Sequence, residues 1–162
     1  MSRRGQIRMT DAEADAFLDE ERTVICATNG LRGWPHLMPL WYVVRPTGPG
    51  GAREVWAWTF AKSQKTRNLE RDPRASLQVE AGEEYHLLRG VLLECDTVLH
   101  RDLDTVTGVG LDVFRRYAGP GAEGLAAEVE ATVRRQAAKR VGLQFVELRR
   151  RSWDHRKLGG TH

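Results

Sequence analysis

Val55-Trp56-Ala57-Trp58-Thr59-Phe60-Ala61-Lys62-Ser63-Gln64-Lys65-Thr66-Arg67-Asn68-Leu69-Glu70-Arg71-Asp72-Pro73 is the stretch on which the architecture turns. Val55 to Phe60 is aromatic and β-prone, which predicts a strand. Ser63 can cap a helix of about two turns, and Asp72-Pro73 ends it, because the residue before proline avoids the helical region. That helix reads as short and exposed, with Leu69 facing inward. Beyond it Ala75, Leu77 and Val79 alternate with polar neighbours, the mark of a half-buried strand.

Working outward, the same kinds of signal recur. Thr10-Asp11-Ala12-Glu13 has capping-box spacing, and Ala14, Phe17 and Leu18 continue a short amphipathic helix to about Glu20. Arg22 to Thr28, the turn signal Asn29-Gly30 and a second extended run from Pro35 to Val44 read as a hairpin. The segment Thr47-Gly48-Pro49-Gly50-Gly51 reads as a loop. Downstream, Val91, Leu93, Cys95, Thr97 and Leu99 alternate, with Gly90 as a bulge or bend. Val106, Val113, Phe114 and Tyr117 then share a helical face, Gly119-Pro120-Gly121 breaks the chain, and Leu125, Val129 and Val133 build another helix. Val141, Leu143 and Phe145 alternate before the apolar phase slips to Val146 and Leu148, so a final strand with a bulge near Phe145 is expected. The sum is six antiparallel strands with a short helix between the third and fourth, a mainly β closed or partly closed barrel with peripheral helices. Regular βαβ alternation is missing, and Gly108-Val109-Gly110 sits within a helical pattern, so neither a doubly wound sheet nor a dinucleotide loop is predicted.

Composition narrows the class. At 162 residues and 41% hydrophobic the chain supports one core of ordinary size, read as one domain over 1–162. A net charge of +3 with 29% charged residues of both signs describes a mildly basic protein with no demand for nucleic acid. Cys26 and Cys95 lie in apolar stretches without a Cys-x-x-Cys motif, so buried thiols are expected, which suits a reducing cytosol. The charged start of the chain runs into an acidic helix, and no apolar stretch approaches the roughly 20 residues of a membrane span, so neither signal peptide nor anchor is expected.

Chemistry concentrates where the aromatic strand meets the helix. Helix-start N–H groups and the helix dipole favour an anion there. Lys62 and Lys65, three apart, can share a face of the first turn, with Ser63 or Thr59 donating hydroxyl bonds. The plainer reading is that a short exposed helix carries Lys and Arg for solubility. His36, His86, His100, His155 and His162 are scattered without an i, i+4 pair, which argues against a metal site. No nucleophile–base pair supports hydrolase chemistry, and Asp102, Asp104 and Asp112 read as solvated helix residues. Trp34, Trp41, Trp56, Trp58 and Trp153 are expected in the core or an interface, with Trp153 as a residue that could cover a cofactor.

Pro35-His36-Leu37-Met38-Pro39-Leu40-Trp41, Ser63-Gln64-Lys65-x-x-Asn68-Leu69-x-x-Asp72-Pro73-Arg74 and Ser152-Trp153-Asp154-His155-Arg156-Lys157, with the order of elements, resemble the pyridoxamine-phosphate-oxidase-like split β-barrel superfamily. The likeness covers nearly the whole chain and is closer to its flavin/deazaflavin oxidoreductase B branch, whose members bind coenzyme F-420, FMN or haem, usually in clefts between two subunits. The resemblance implies a six-stranded split barrel. It implies that Lys65 contacts the cofactor phosphate beside Ser63 and Gln64, that Trp58 and Thr59 end the strand against the phosphate or ring, that Lys62 and Arg67 add anion contacts, and that Met38, Pro39 and Leu40 border the ring. His36 stands where true pyridoxamine-phosphate oxidases carry a phosphate-binding arginine, and their C-terminal substrate pattern is not recognisable here. That departure favours coenzyme F-420, whose charged tail an arginine-rich surface can accommodate. The function implied is a cytoplasmic, homodimeric oxidoreductase using reduced coenzyme F-420 on a small organic acceptor. The alternatives are an FMN-binding oxidoreductase of the same fold or a non-catalytic flavin- or haem-binding protein.

Overall fold

The extended run read as one strand from Pro35 to Val44 is two strands at opposite edges of a sheet. The computed structural model describes residues 3–47, 51–119 and 126–159. Its elements are α1 (Arg3–Gln6), α2 (Asp11–Glu20), β1 (Val24–Asn29), β2 (Pro35–Leu40), β3 (Val43–Pro46), β4 (Arg53–Phe60), α3 (Gln64–Arg71), β5 (Arg74–Ala81), β6 (Arg89–His100), α4 (Leu103–Tyr117), α5 (Ala126–Ala137) and β7 (Arg140–Asp154). Gly48, Pro49 and Gly50 of the expected loop, Pro120 and Gly121 of the expected break, Leu125 and His162 lie outside the described residues.

Every strand pairing is antiparallel, in the order β2-β1-β5-β6-β7-β4-β3. The edges β2 and β3 are joined only by Trp41-Tyr42. Three Cα steps of about 3.8 Å keep Leu40 and Val43 within about 11 Å of each other, so the sheet must curl until its edges meet at this corner. The result is a mainly β split barrel with peripheral helices, with seven strands in place of six. Tertiary contacts pin the corner. Tyr42 is fully buried, and its hydroxyl donates to the Leu18 and Glu21 carbonyls at 2.7 and 3.1 Å. Trp41 stacks on Tyr117 with centroids 4.6 Å apart. Arg116 lies over the Tyr42 ring and donates to the carbonyls of Tyr42, Leu18, Asp19 and Glu21, binding α4 to the last turn of α2, whose carbonyls have no helical partner.

Local signals account for the helix starts. Thr10 and Glu13 form the reciprocal capping box of α2, and Ala14, Phe17 and Leu18 turn into the core. That core collects alternate residues of the strands, among them Val24, Cys26, Leu77, Val79, Leu93 and Leu143. Both cysteines are buried and free, and burial pushes each thiol up to about 12. Among the described residues no helix is long and apolar enough to cross a membrane.

Two irregularities differ from expectation. Glu94 pairs with Arg149 whereas Cys95 pairs with Glu147, so the extra residue of the β7 bulge is Leu148, beyond the Phe145 neighbourhood expected for it. Val141, Leu143 and Phe145 point inward before it and Asp154 after it, the one-residue phase change a bulge imposes. Gly90 is neither bulge nor bend, since the β5–β6 register runs through it unbroken. It faces Trp153 across the β6–β7 ladder, and a Cβ there would lie 2.1 Å from Trp153 Cζ2, so the indole fills the side-chain space that glycine leaves.

Candidate functional site

Helix α3 is not the exposed helix its composition suggests. Lys65 and Leu69 are 5% and 3% exposed, and Thr66 and Asn68 not at all. These polar groups can be buried because each finds a partner. Ser63 caps the helix, receiving the Thr66 N–H, and the Thr66 hydroxyl donates to the Phe60 carbonyl at 3.0 Å. Asn68 donates to Thr28 Oγ1 at 3.0 Å and accepts from Gln64 Nε2 at 2.9 Å. Asp72, after the helix, accepts from Asn29 Nδ2 at 2.8 Å and is held well below the usual carboxylate range by its bonds to Arg74 and Asn29. Asn68 and Asp72 therefore stitch α3 to β1, through Thr28 and Asn29.

Lys65 crosses from the first turn of α3 to the end of β4, where its ammonium donates to Thr59 Oγ1 at 2.8 Å. Among the described residues no carboxylate pairs with it. Burial holds its pKa below the ordinary lysine value. The other expected residues divide around it. Thr59 joins Lys65, and Ser63 and Gln64 flank it on α3. Lys62 precedes the cap and is exposed, as is Arg67, so Lys62 and Lys65 do not share a face. Trp58 does not join Thr59 beside Lys65. On β4 Val55, Ala57 and Thr59 point inward, so Trp58 lies on the opposite face from Thr59, packed against Gly110 of α4 and Val133 of α5.

The β2 segment does meet α3. Opposite residues of an antiparallel pair share a face, so His36, Met38 and Leu40 lie on the side of Thr28, Cys26 and Val24, facing the barrel interior, and Pro39 is on the other. Met38 remains 42% exposed, because β2 is an edge strand with little packed over it. Between the β1–β2 hairpin and the start of α3 opens a cleft of about 430 Å³ bordered by Leu31, Arg32, Trp34, His36, Gln64 and Asn68. His36 Nδ1 is buried there without a hydrogen-bond partner. Sequence reasoning assigned no contact to Arg32, Trp34, His36 or Asn68. The signal that could have found them is the Asn29-Gly30 turn, which folds the hairpin tip back over α3.

This arrangement fits a phosphate-bearing planar cofactor. The first-turn N–H groups of Gln64 and Lys65 and the nearby cations Arg32, Lys62 and Arg67 suit an anion. Met38 shares the His36 face of β2 and is partly uncovered, Leu40 packs against the core, and His36 Nδ1 lacks a partner. No nucleophile–base pair emerges at the mouth, and among the described residues no group of three or more His, Cys, Asp or Glu could hold a metal.

Comparison with known proteins agrees with the fold. No curated protein matches the chain. A conserved hypothetical protein from Mycobacterium tuberculosis, Rv2991, is 41% identical in sequence, with a TM-score of 0.85 over 100% of this chain and 95% of that one. An F-420 reductase shares the fold at 19% identity and a TM-score of 0.60, covering 84% of this chain and 94% of its own. HutZ, the haem storage protein of Vibrio cholerae, does so at 16% identity and a TM-score of 0.63, covering 86% and 90%. Residues 10–145, from the cap of α2 well into β7, match the family described as pyridoxamine 5'-phosphate oxidase. With the barrel, the α3 stitching and a full-length relative in agreement, the chain belongs to that family.

Proposed function

We propose that this chain is a cytoplasmic oxidoreductase that uses reduced coenzyme F-420 to deliver a hydride to an organic acceptor, working as a homodimer of single-domain subunits. The observation that carries the reading is the mouth where β2 meets α3. His36, with its buried and unpartnered Nδ1, and Gln64 of the first turn of α3 line a cleft large enough for part of a flavin-sized ligand, and Lys65 follows Gln64 with its ammonium turned to Thr59. The fold is shared with an F-420 reductase.

The chemistry supplied by such a cofactor is hydride transfer. Holding and shielding fall to the chain. For Lys65 to meet a phosphate, its ammonium must exchange Thr59 for the anion, a short rotation of a flexible side chain that gives a desolvated cation a charged partner. In this reading Met38, uncovered on the edge strand, borders the ring, and a second subunit laid over Trp34 and Leu37 would close the cleft against bulk water. No side chain need be an obligatory acid, because one ordered water kept in the closed cleft can supply the proton that completes reduction of the acceptor.

The test is a parallel titration with coenzyme F-420 and FMN, repeated on Lys65→Ala. Binding of the deazaflavin with a loss of about 5- to 150-fold in the variant, roughly 1–3 kcal/mol, supports the reading. Binding of FMN alone replaces the cofactor, and a Soret band with neither binding replaces the enzyme by a haem-binding protein.

A further inference from the structure

A second cleft lies on the far side of β4 from Lys65. It has a volume of about 500 Å³ and runs between α4 and α5 over the outward face of the sheet. Trp41 and Trp58 wall it on the barrel side, and Val113 and Phe114 of α4 face Val129 and Val133 of α5. Gly110 lets α4 pack closely here, since a Cβ there would lie 2.5 Å from Trp58 Cζ3 and 2.7 Å from Val133 Cγ1, so the indole and Val133 fill the space that glycine leaves.

Arg140 stands at one end. Its guanidinium carbon is 4.5 Å from the centroids of both Trp58 and Phe60. Its one hydrogen bond among the described residues goes to the Gln136 carbonyl at 3.3 Å. Among the described residues no carboxylate comes within ion-pair distance of it, whereas Arg45, Arg89, Arg134 and Arg150 all have one. Burial holds its pKa below the usual arginine value with nothing opposing that effect. A guanidinium beside two rings keeps N–H donors at its edge, the geometry that suits a carboxylate. Glu128 lines the cleft eight residues before Gln136 on α5, about 12 Å along the helix axis, so the two ends differ in charge.

We propose that this cleft binds a planar aromatic carboxylate, its ring in the groove that Trp41, Phe114 and Val129 line and its carboxylate on Arg140. Apolar walls with one convergent cation select for a flat body carrying a single anionic end, and Glu128 disfavours a second anion at the other. The site is built from this chain alone and does not depend on which cofactor occupies the mouth beside α3.

The probe is 2-naphthoate, titrated into the protein without added cofactor and followed by tryptophan fluorescence, with the neutral isostere 2-naphthamide alongside. Naphthoate is expected to bind at least tenfold more tightly than the amide, and Arg140→Gln to abolish that preference while leaving amide binding unchanged. Should Arg140→Gln fail to fold, Thr132→Trp on α5, whose side chain borders the cleft, is to block both probes with the helical circular dichroism intact. Equal affinity for the two probes, or naphthoate binding that survives both substitutions, overturns the proposal. Loss of coenzyme F-420 binding in Lys65→Ala with naphthoate binding retained separates this site from the cofactor cleft.

Discussion

The Lys65 ammonium lies 2.8 Å from Thr59 Oγ1, inside a barrel where it is 5% exposed and no carboxylate pairs with it among the described residues. A buried cation held by a single hydroxyl is a liability for folding and an asset for binding an anion. Lys65→Met is therefore expected to raise the stability of the cofactor-free protein at pH 7 by about 1 kcal/mol while weakening phosphate-bearing ligands. The sign with pH follows from its lowered pKa. The unfolded chain keeps its proton up to about 10.5 and the folded one loses it earlier, so in that window the unfolded state binds more protons and stability rises with pH. The advantage of methionine should shrink as pH approaches 10.5, read from urea midpoints across the range. A constant advantage would mean that the amine is not desolvated.

Asn68 and Thr28 form the second buried tie, at 3.0 Å, with Asn68 fully buried. Asn68→Ala should cost about 2–3 kcal/mol, since it leaves a cavity and an unsatisfied Thr28 hydroxyl. Thr28→Val should cost less. In the Asn68→Ala/Thr28→Val pair the loss should be smaller than the sum of the single changes, because both polar partners leave together. A double-mutant cycle by denaturant unfolding measures the coupling.

What could be read from the sequence was local. Thr10 with Glu13 and Ser63 with Asp72-Pro73 fix helix ends through contacts three or four residues away, and those ends stand. The corner at Trp41-Tyr42 could not be read, because its residues continue an apolar extended run and the bend is imposed by Leu18, Glu21 and Tyr117 from distant parts of the chain. The inward face of α3 was hidden for another reason. Apolar periodicity registers only Leu69, whereas Lys65, Thr66 and Asn68 are buried by hydrogen bonds to β1 and β4. On β4 the bulk of Trp56 and Trp58 suggested the core, yet the inward places belong to Val55, Ala57 and Thr59, and helices α4 and α5 cover the tryptophans from outside.

Leu148 is 65% exposed and is the extra residue of the β7 bulge. Leu148→Ser should change stability by no more than about 0.5 kcal/mol, as its side chain is mostly in water. Deleting Leu148 joins Glu147 to Arg149, and because Cys95 already pairs with Glu147 and Glu94 with Arg149, the ladder becomes regular and every later β7 residue keeps its face, so the variant should still unfold cooperatively with Asp154 buried. Thermal unfolding of the two variants separates the role of the side chain from that of the extra backbone unit.

Gly90 and Trp153 set a steric limit on the same ladder. With a Cβ at position 90 only 2.1 Å from Cζ2, the indole must move or the strands must part, so Gly90→Ala should cost about 2 kcal/mol or more. The Trp153→Leu background should recover part of that loss. Equal cost in both backgrounds would place the strain in the backbone.

Leu31, Trp34, Leu37 and Trp41 are 78%, 76%, 56% and 59% exposed and lie in or beside the edge strand β2, next to the mouth where Met38 is also uncovered. So much apolar surface in one place marks a contact site, and a second copy laid over it would complete the cofactor cleft. Leu37 lies on the opposite face of β2 from His36, Met38 and Leu40, so a charge there leaves the barrel interior alone. Leu37→Glu should therefore shift the protein from dimer to monomer in light scattering at micromolar concentration, with its thermal unfolding still cooperative. Coenzyme F-420 affinity should fall with the dimer, although Lys65, Gln64 and His36 are untouched. A Leu37→Glu protein that is monomeric and binds the cofactor as before would show that one subunit holds the whole site.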